Sequence, residues 1–301
     1  MLGSPAVGPA GGLAGVAAAA LAYAAGQCGL DDHGTRLVRL FDTAVYRLPA
    51  AGAVARIALL TSPGMVTQLA TTVHVTRWLT GIAFPTVEPL PVNQPVVGHG
   101  CAVTFWRYLP QDGPVPGPAD LGCLLRRLHR LGAPPVPLPT YRPLVPVRSA
   151  IESSRAIDDE ERRWLTDHCG RLLDAYDQLK FPLPAGMIHG DAWRGNLMRD
   201  GRRIVLADWD AVSNGPREID LIPTLQASRF GLPEDQRDAF IAAYGRDIRS
   251  WEGYPILRDI RELSTISALL RAGHIDRAAG RELQTRLRSL RTGDHQQWTP
   301  L

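Results

Sequence analysis

The sequence predicts an α+β fold in two parts, a small antiparallel sheet followed by a larger, mainly helical portion. Three observations predict it. Short β-type runs separated by turn residues crowd residues 35–59. A breaker-rich stretch from Pro110 to Pro118 then interrupts the chain. Beyond it, apolar residues recur mostly at helical spacing.

Taken in order, residues 1–12 are rich in Gly, Pro and Ala and are expected to be disordered. Leu13 to Leu30 is an alanine-rich apolar stretch, too short and glycine-interrupted to span a membrane well. No positive segment precedes it, as an export signal requires, so it is expected to be an amphipathic helix packed on the N-terminal part. Thr35–Leu40, Thr43–Leu48 and Ala53–Leu59 read as three strands of an antiparallel meander. Val66–Leu79 has helical apolar spacing through Val66, Leu69, Val73 and Trp78 and contains no acid. Phe84–Val87 and Ala102–Trp106 read as further strands, with Gly98-His99-Gly100 as a hairpin turn between them. The division expected is 13–108 for the sheet part, 109–118 for a hinge and 119–301 for the helical part. Within the last, Ala119–Arg130, with Asp120 as its cap, Asp158–Leu179, Ile219–Phe230, Glu234–Tyr244, Tyr254–Ala272 and Asp276–Arg291 read as helices. His129, near the end of the first of these, is expected to serve only as a favourable charge at a helix C-terminus. The proline-rich residues 133–146 read as a connection.

The chain is organised around Met187 to Asp210, MIHGDAWRGNLMRDGRRIVLADWD. Two apolar strand-like runs lie in it, one leading into His189-Gly190-Asp191 and the other into Asp208-Trp209-Asp210. With Asp200-Gly201 as a hairpin signal, the expectation is that two short strands bring Asp191, Asn196 and Asp208 to one end of a hairpin. An acid followed five residues later by an amide suits proton acceptance by the first and Mg²⁺ ligation by the second. Asp208 adds a hard oxygen ligand after the next strand. Asp, Asn and Gly also mark ordinary turns, but the joint pattern at fixed spacing argues against that bland reading. His189 reads as a loop-bracing residue, because Asp191 already fills the role of base.

H-G-D-x-x-x-x-N, then D-W-D, then Gly215-Pro216-Arg217-Glu218-Ile219-Asp220-Leu221, resembles the aminoglycoside phosphotransferase family. The resemblance runs from about Val16 to the C-terminus and is most specific over residues 187–221. It implies a bilobal protein-kinase-like fold of the α+β class, with a small antiparallel-sheet N-lobe and a larger mainly helical C-lobe. It implies an enzyme that uses ATP and Mg²⁺ to phosphorylate a hydroxyl of a small molecule, with Asp191 as catalytic base. It implies Asn196, Asp208 and Asp210 at the metal; in the family the second acid of D-W-D is usually Glu. Arg56 takes the place of the strand lysine that pairs with ATP phosphates, and Trp106 and Tyr108 stand at the hinge that holds adenine. Asp220 is implied to steady the catalytic loop. Three departures stand out: an Arg replaces the strand lysine; the helix Val66–Leu79 has Thr72 near the position where a Glu usually pairs with that lysine, with Gln68 and His74 on neighbouring turns, His74 reading as a packing or surface residue; and the loop Leu40–Thr43 lacks a glycine-rich motif. Arg56 is then left to be positioned by the phosphates. These departures motivate an alternative, a catalytically weak kinase-like module that binds a nucleotide or small ligand.

Composition narrows the partners. The 301 residues are 45% hydrophobic and 21% charged with a net charge of +3, which suits a globular chain with a full core and gives nucleic-acid binding little support. Acids and arginines are balanced beyond the motif, so a strongly acidic pocket for a polycationic aminoglycoside has no compositional support; Arg217, Arg229 or Arg246 would instead suit an anionic or neutral acceptor. The four cysteines form no C-x-x-C pair and suit free thiols in a reducing, cytoplasmic setting. The only lysine, Lys180, precedes Phe181, so no P-loop exists, and neither G-x-S-x-G nor H-E-x-x-H occurs.

Overall fold

The computed structural model describes residues 9–300. The chain begins with α1 (Pro9–Cys28), β1 (Arg36–Leu40), β2 (Thr43–Leu48), β3 (Ala53–Leu59), α2 (Met65–Gly81), β4 (Val96–Gly98) and β5 (Cys101–Arg107). It continues through α3 (Pro118–Leu128), α4 (Val145–Ser153), α5 (Asp159–Asp177) and β6 (Gly186–Ile188), then the hairpin of β7 (Leu197–Asp200) and β8 (Arg203–Leu206). The remainder is β9 (Ser213–Gly215), α6 (Ile222–Leu225), α7 (Glu234–Tyr244), α8 (Tyr254–Ser264), α9 (Ser267–Ala272) and α10 (Arg277–Thr292). Two compact units result: among the described residues one comprises 9–114, 134–138 and 197–210, the other 115–133, 139–196 and 211–300.

The first unit is built on a five-stranded antiparallel sheet in the order β1-β2-β3-β5-β4. The alternation of the strands decides which face is covered. Ala53, Ala55 and Ile57 of β3 point into a core shared with Leu13, Ala17, Ala20, Leu21 and Ala24 of α1. These helical positions recur every three or four residues, so one stripe is buried, and their small side chains let the helix lie close on the sheet. Arg56, between Ala55 and Ile57, is thereby placed on the opposite face of the sheet.

Helix α1 starts at Pro9, so residues 9–12 are helical rather than disordered; residues 1–8, the rest of that expectation, lie outside the described residues. The Phe84–Val87 run forms only an isolated bridge, Thr86 to Leu206, instead of a sheet strand. That segment is where β8 attaches: Leu206 N donates to Pro85 O at 3.0 Å and Val87 N to Leu206 O at 3.2 Å. Residues 197–210 therefore group with the N-terminal unit, whereas the sequence division assigned them to the helical part. The expected pairing of the two strands of the motif also changes. The strand before His189 is β6, which pairs with β9, while the Asp200-Gly201 turn joins β8 to β7.

In the second unit, Asp120 is not the N-cap of α3 but its third residue, where its carboxylate accepts the Gly117 N–H at 2.8 Å. Asp158 and Glu161 close a reciprocal capping box on α5. The proline-rich connection contains a helix the sequence hid, α4, which begins at the Val145-Pro146 step. The expected helix Ile219–Phe230 breaks into three short turns, and Tyr254–Ala272 breaks into α8 and α9.

Helices α3 and α7 approach closely at Gly122, where a Cβ would lie 2.5 Å from the Phe240 carbonyl oxygen and 3.0 Å from Ala243 Cβ. Backbone cannot yield as a side-chain tip can. Gly122→Ala is therefore expected to lower the free energy of unfolding by about 1–3 kcal/mol. The change should read as a lower urea midpoint at unchanged slope; an unchanged midpoint would show that the two helices part freely.

Candidate active site

In the first unit, the D-W-D segment and Arg56 form one charged cluster. Arg56 Nη2 donates to Asp208 Oδ1 at 3.1 Å and to Asp210 Oδ2 at 2.7 Å, and Nη1 donates to Asp210 Oδ1 at 3.3 Å. Burial lowers the guanidinium pKa, but the charges of Asp210 and Asp208 more than offset it, so the net shift is upward and Arg56 stays a cation. The sequence left Arg56 to be positioned by phosphates; the structure gives it two carboxylate partners, brought from more than 150 positions away by the β8 hairpin. Helix α2 serves the same segment through neutral groups. Gln68 Nε2 donates to the Asp210 carbonyl and Thr72 Oγ1 to the Trp209 carbonyl. Trp209 is fully buried, its Nε1–H donating to Leu206 O at 3.1 Å, and it meets Phe84 edge-on at 6.1 Å. With the tryptophan pinned inward, the two flanking carboxylates are left partly exposed. Asp208 has φ 64°, a left-handed conformation that Asp tolerates better than most residues.

In the second unit, the H-G-D loop is held by Asp220, whose side chain is 0% exposed. Its Oδ2 accepts the His189 N–H at 2.8 Å and its Oδ1 accepts the Gly190 N–H at 2.8 Å. A third donor comes from the residue that caps the C-terminus of α3: His129 Nε2 stands 3.0 Å from Asp220 Oδ2, and its Nδ1 stands 2.9 Å from the Tyr244 hydroxyl. Burial, followed by the charges of Asp220 and Glu218, pushes the Tyr244 phenol up to about 12, so Tyr244 keeps its proton and donates it to Nδ1. His129 is thus a buried brace for Asp220, correcting the expectation of a simple helix-end charge. Gly190 has φ 83°, and a Cβ there would collide with the Ala211 carbonyl, so only glycine passes this turn.

That bracing fixes the backbone while leaving Asp191 outward, its side chain 39% exposed. Asn196 Nδ2 donates to the Asp191 carbonyl at 2.9 Å, and its Oδ1 makes no hydrogen bond among the described residues. His189 is fully buried, and its Nδ1 accepts the Asp191 N–H at 3.4 Å. Among the described residues, the one charged partner that pairs with the Asp191 carboxylate is Arg261 on α8, Nη1 to Oδ1 at 2.8 Å. No motif marked Arg261 or His129; each reaches its partner across 70 or more positions through the packing of the helices.

The donor chemistry fits a hard divalent cation. Two carboxylates, Asp208 and Asp210, already share one positive group in the first unit, and Asn196 holds an oxygen free in the second. Mg²⁺ takes only one or two carboxylates and fills its other positions with water and phosphate oxygens. No group of three His, Cys, Asp or Glu that could hold a metal ion gathers among the described residues. At the end of β5, Trp106 is buried, with Nε1 donating to Thr104 Oγ1 at 2.9 Å, so what it offers a ligand is backbone. Tyr108 lies under the Arg47 guanidinium at 4.1 Å. Phe41 N donates to Thr43 O at 3.1 Å, making the β1–β2 connection a tight turn.

Of the arginines suggested for an anionic acceptor, Arg229 is committed elsewhere: it is buried and paired with Glu262 at 2.8 Å. Arg246 is exposed, and Arg217 packs over Gly186. His74 is exposed on α2. All four cysteines are free, and no described helix is long and apolar enough to cross a membrane.

Comparison with solved structures finds the same fold at low identity. Amicoumacin kinase hAmiN in complex with AMP-PNP, Ca²⁺ and Ami is 13% identical, with 92% of this chain and 94% of that chain covered and a TM-score of 0.70. A microcompartment-associated aminopropanol kinase is 16% identical over 91% and 95% of the two chains, with a TM-score of 0.66. A choline/ethanolamine kinase family protein from Mesorhizobium loti is 17% identical over 91% and 94%, with a TM-score of 0.64. No curated protein matches by sequence. The antiparallel five-stranded sheet, the mainly helical second unit and these likenesses define an α+β kinase-like fold, as the resemblance implied. The model of the phosphotransferase enzyme family matches residues 30–257, which takes in both the Arg56 cluster and the braced H-G-D loop, and the chain belongs to that family.

Proposed function

We propose that this protein transfers the γ-phosphoryl group of ATP to a hydroxyl of a small molecule, with Mg²⁺ and with Asp191 as proton acceptor. The observation that carries the reading is the 189–196 loop. A buried carboxylate and a buried histidine hold its backbone, yet its one outward acid is left accessible. So much internal order around an exposed Asp suits a group that must meet a substrate in one orientation.

Bound MgATP supplies the phosphoryl group and the charge neutralisation that this chemistry needs. The chain's own residues divide the remaining tasks. Asp191 accepts the hydroxyl proton as the acceptor oxygen bonds to phosphorus and the bond to the ADP oxygen breaks. Asp208 of the first unit would be a ligand of the cation, with Asp210 assisting while its carboxylate fixes Arg56, and Asn196 of the second unit would offer it Oδ1. Arg56 presents its positive charge to phosphate oxygens. The bracing of Asp220 keeps Asp191 where the proton is released. The solved kinases of similar fold support this reading, one of them being described with AMP-PNP and Ca²⁺. Its free thiols suit a cytoplasmic setting.

The first test is a thermal melt with and without MgATP, repeated with EDTA and with Asp208→Asn. A ligand at 100 times its Kd stabilises by about 2.7 kcal/mol, which is a rise of several degrees at roughly 2–4 °C per kcal/mol. A shift that needs Mg²⁺ and is abolished by Asp208→Asn is the expected result. No shift with either ATP or GTP would reject the reading and favour a ligand-binding module, the reading to which the acid-free helix α2 points.

A further inference from the structure

We infer that the acceptor is a hydroxy acid, a small molecule carrying a carboxylate a few bonds from the phosphorylated hydroxyl, and that Arg261 is the residue that recognises this carboxylate. The inference rests on the proposed phosphotransfer at Asp191 and names its substrate class.

The geometry of one ion pair carries it. Arg261 Nη1 holds Asp191 Oδ1 at 2.8 Å, yet Nε and Nη2 make no hydrogen bond or ion pair among the described residues. These two atoms form the side-on edge of the guanidinium, the edge that grips a planar carboxylate with two parallel hydrogen bonds. Arg261 is 28% exposed, so the open edge is accessible and is not buried for packing. A purely structural arginine in this fold looks different: Arg229 is 8% exposed and spends Nε, Nη1 and Nη2 on Glu262, Ser289 and main-chain carbonyls.

Chemistry favours an anion over the alternatives. A cationic acceptor would have to bring its charge up to a guanidinium, a like-charge contact that binding sites use for exclusion. A carboxylate satisfies the open edge, and a hydroxyl a few bonds away then falls beside Asp191, which the same arginine holds. Tyr141 adds a neutral donor nearby. Burial and then Tyr176 hold its phenol far above the ordinary value, and it lies within electrostatic reach of both Arg261 and Asp191. Its hydroxyl makes no hydrogen bond among the described residues.

The experiment compares hydroxy acids (glycolate, lactate, glycerate, serine, homoserine) with their carboxamides and with amino alcohols, reading ADP release with MgATP. Binding of each acid to nucleotide-free protein is followed by calorimetry, and the MgATP melt is run on every variant. The expected result is a kcat/KM ratio of acid to amide of about tenfold or more for at least one pair. Arg261→Ala and Arg261→Gln should collapse that ratio towards one and abolish calorimetric binding of the acid. Arg261→Lys should restore part of the preference, since an ammonium supplies charge without the planar edge. Equal use of acid and amide, preference for an amino alcohol, or a ratio untouched by Arg261→Ala would each overturn the inference. In those three cases a persisting MgATP shift leaves the phosphotransferase reading standing; an absent shift overturns both.

Discussion

Asp191→Ala is expected to lower phosphoryl transfer by about 10³-fold while leaving the fold and the MgATP-induced thermal shift in place. The reason lies in where the side chain stands. Asp191 is outward and partly exposed, and the loop around it is fixed by Asp220, His129 and Asn196, none of which needs the Asp191 carboxylate. Asn196 binds the Asp191 carbonyl, which the substitution keeps. Only the ion pair with Arg261 goes with the carboxylate, and partly exposed ion pairs contribute only about 0–1 kcal/mol. Stability should therefore stay close to wild type. Asp191→Asn makes the sharper comparison, because it retains shape and removes basicity. Turnover within tenfold of wild type in either variant would show that Asp191 does not take the proton.

Asp220→Ala has the opposite signature, with stability and activity falling together. The carboxylate is wholly buried and receives two backbone N–H groups and a histidine N–H. Its removal strands all three donors away from water, at about 1–3 kcal/mol each before relaxation. Breaking a buried charged network by removing one partner costs about 3–5 kcal/mol. At roughly 2–4 °C per kcal/mol the midpoint should fall by about 6 °C or more. Asp220→Asn keeps one acceptor oxygen but turns an amide NH₂ toward a donor, so an intermediate loss is expected. Loss of unfolding free energy below 1 kcal/mol in Asp220→Ala would mean that water or a neighbouring group replaces the carboxylate. Together the two variants separate the outward acid, whose removal should touch chemistry, from the inward one, whose removal should loosen the loop that carries it.

Arg56 and Asp210 bear on how this chain departs from the pattern its family resemblance implies. The expected acid on α2 is missing, but a guanidinium has more donors than an ammonium and spans a wider gap. It reaches both acids of D-W-D, and the helix settles for Gln68 and Thr72 on the backbone of the same segment. The second acid of D-W-D thus stands opposite the strand cation, and the absence of an acid from α2 does not leave Arg56 unpaired.

What the sequence determined by itself was whatever depends on neighbours along the chain. The meander β1–β3 follows from alternation and turn residues, and the turn at Asp200-Gly201 from its residue types, though the strand it joins to β8 is β7 and not the one before His189. The candidate residues His189, Gly190, Asp191, Asn196 and Asp208 could be named from the sequence because their spacing is local. Tertiary structure alone decided the partners. The strand before His189 could not be matched to β9 from pattern, since three-residue strands carry almost no periodicity. Helical runs such as Tyr254–Ala272 could not be seen to break, because the interruption at Thr265-Ile266 reflects packing and not a proline or glycine. Above all, Arg56 with Asp208 and Asp210, His129 with Asp220, and Arg261 with Asp191 are side-chain pairings across 70 to 154 positions. An arginine in a sequence carries no label of its partner. Only the packing that brings two distant segments to hydrogen-bond distance decides whether it steadies a helix, as Arg229 does, or stands with open donors beside an exposed acid, as Arg261 does.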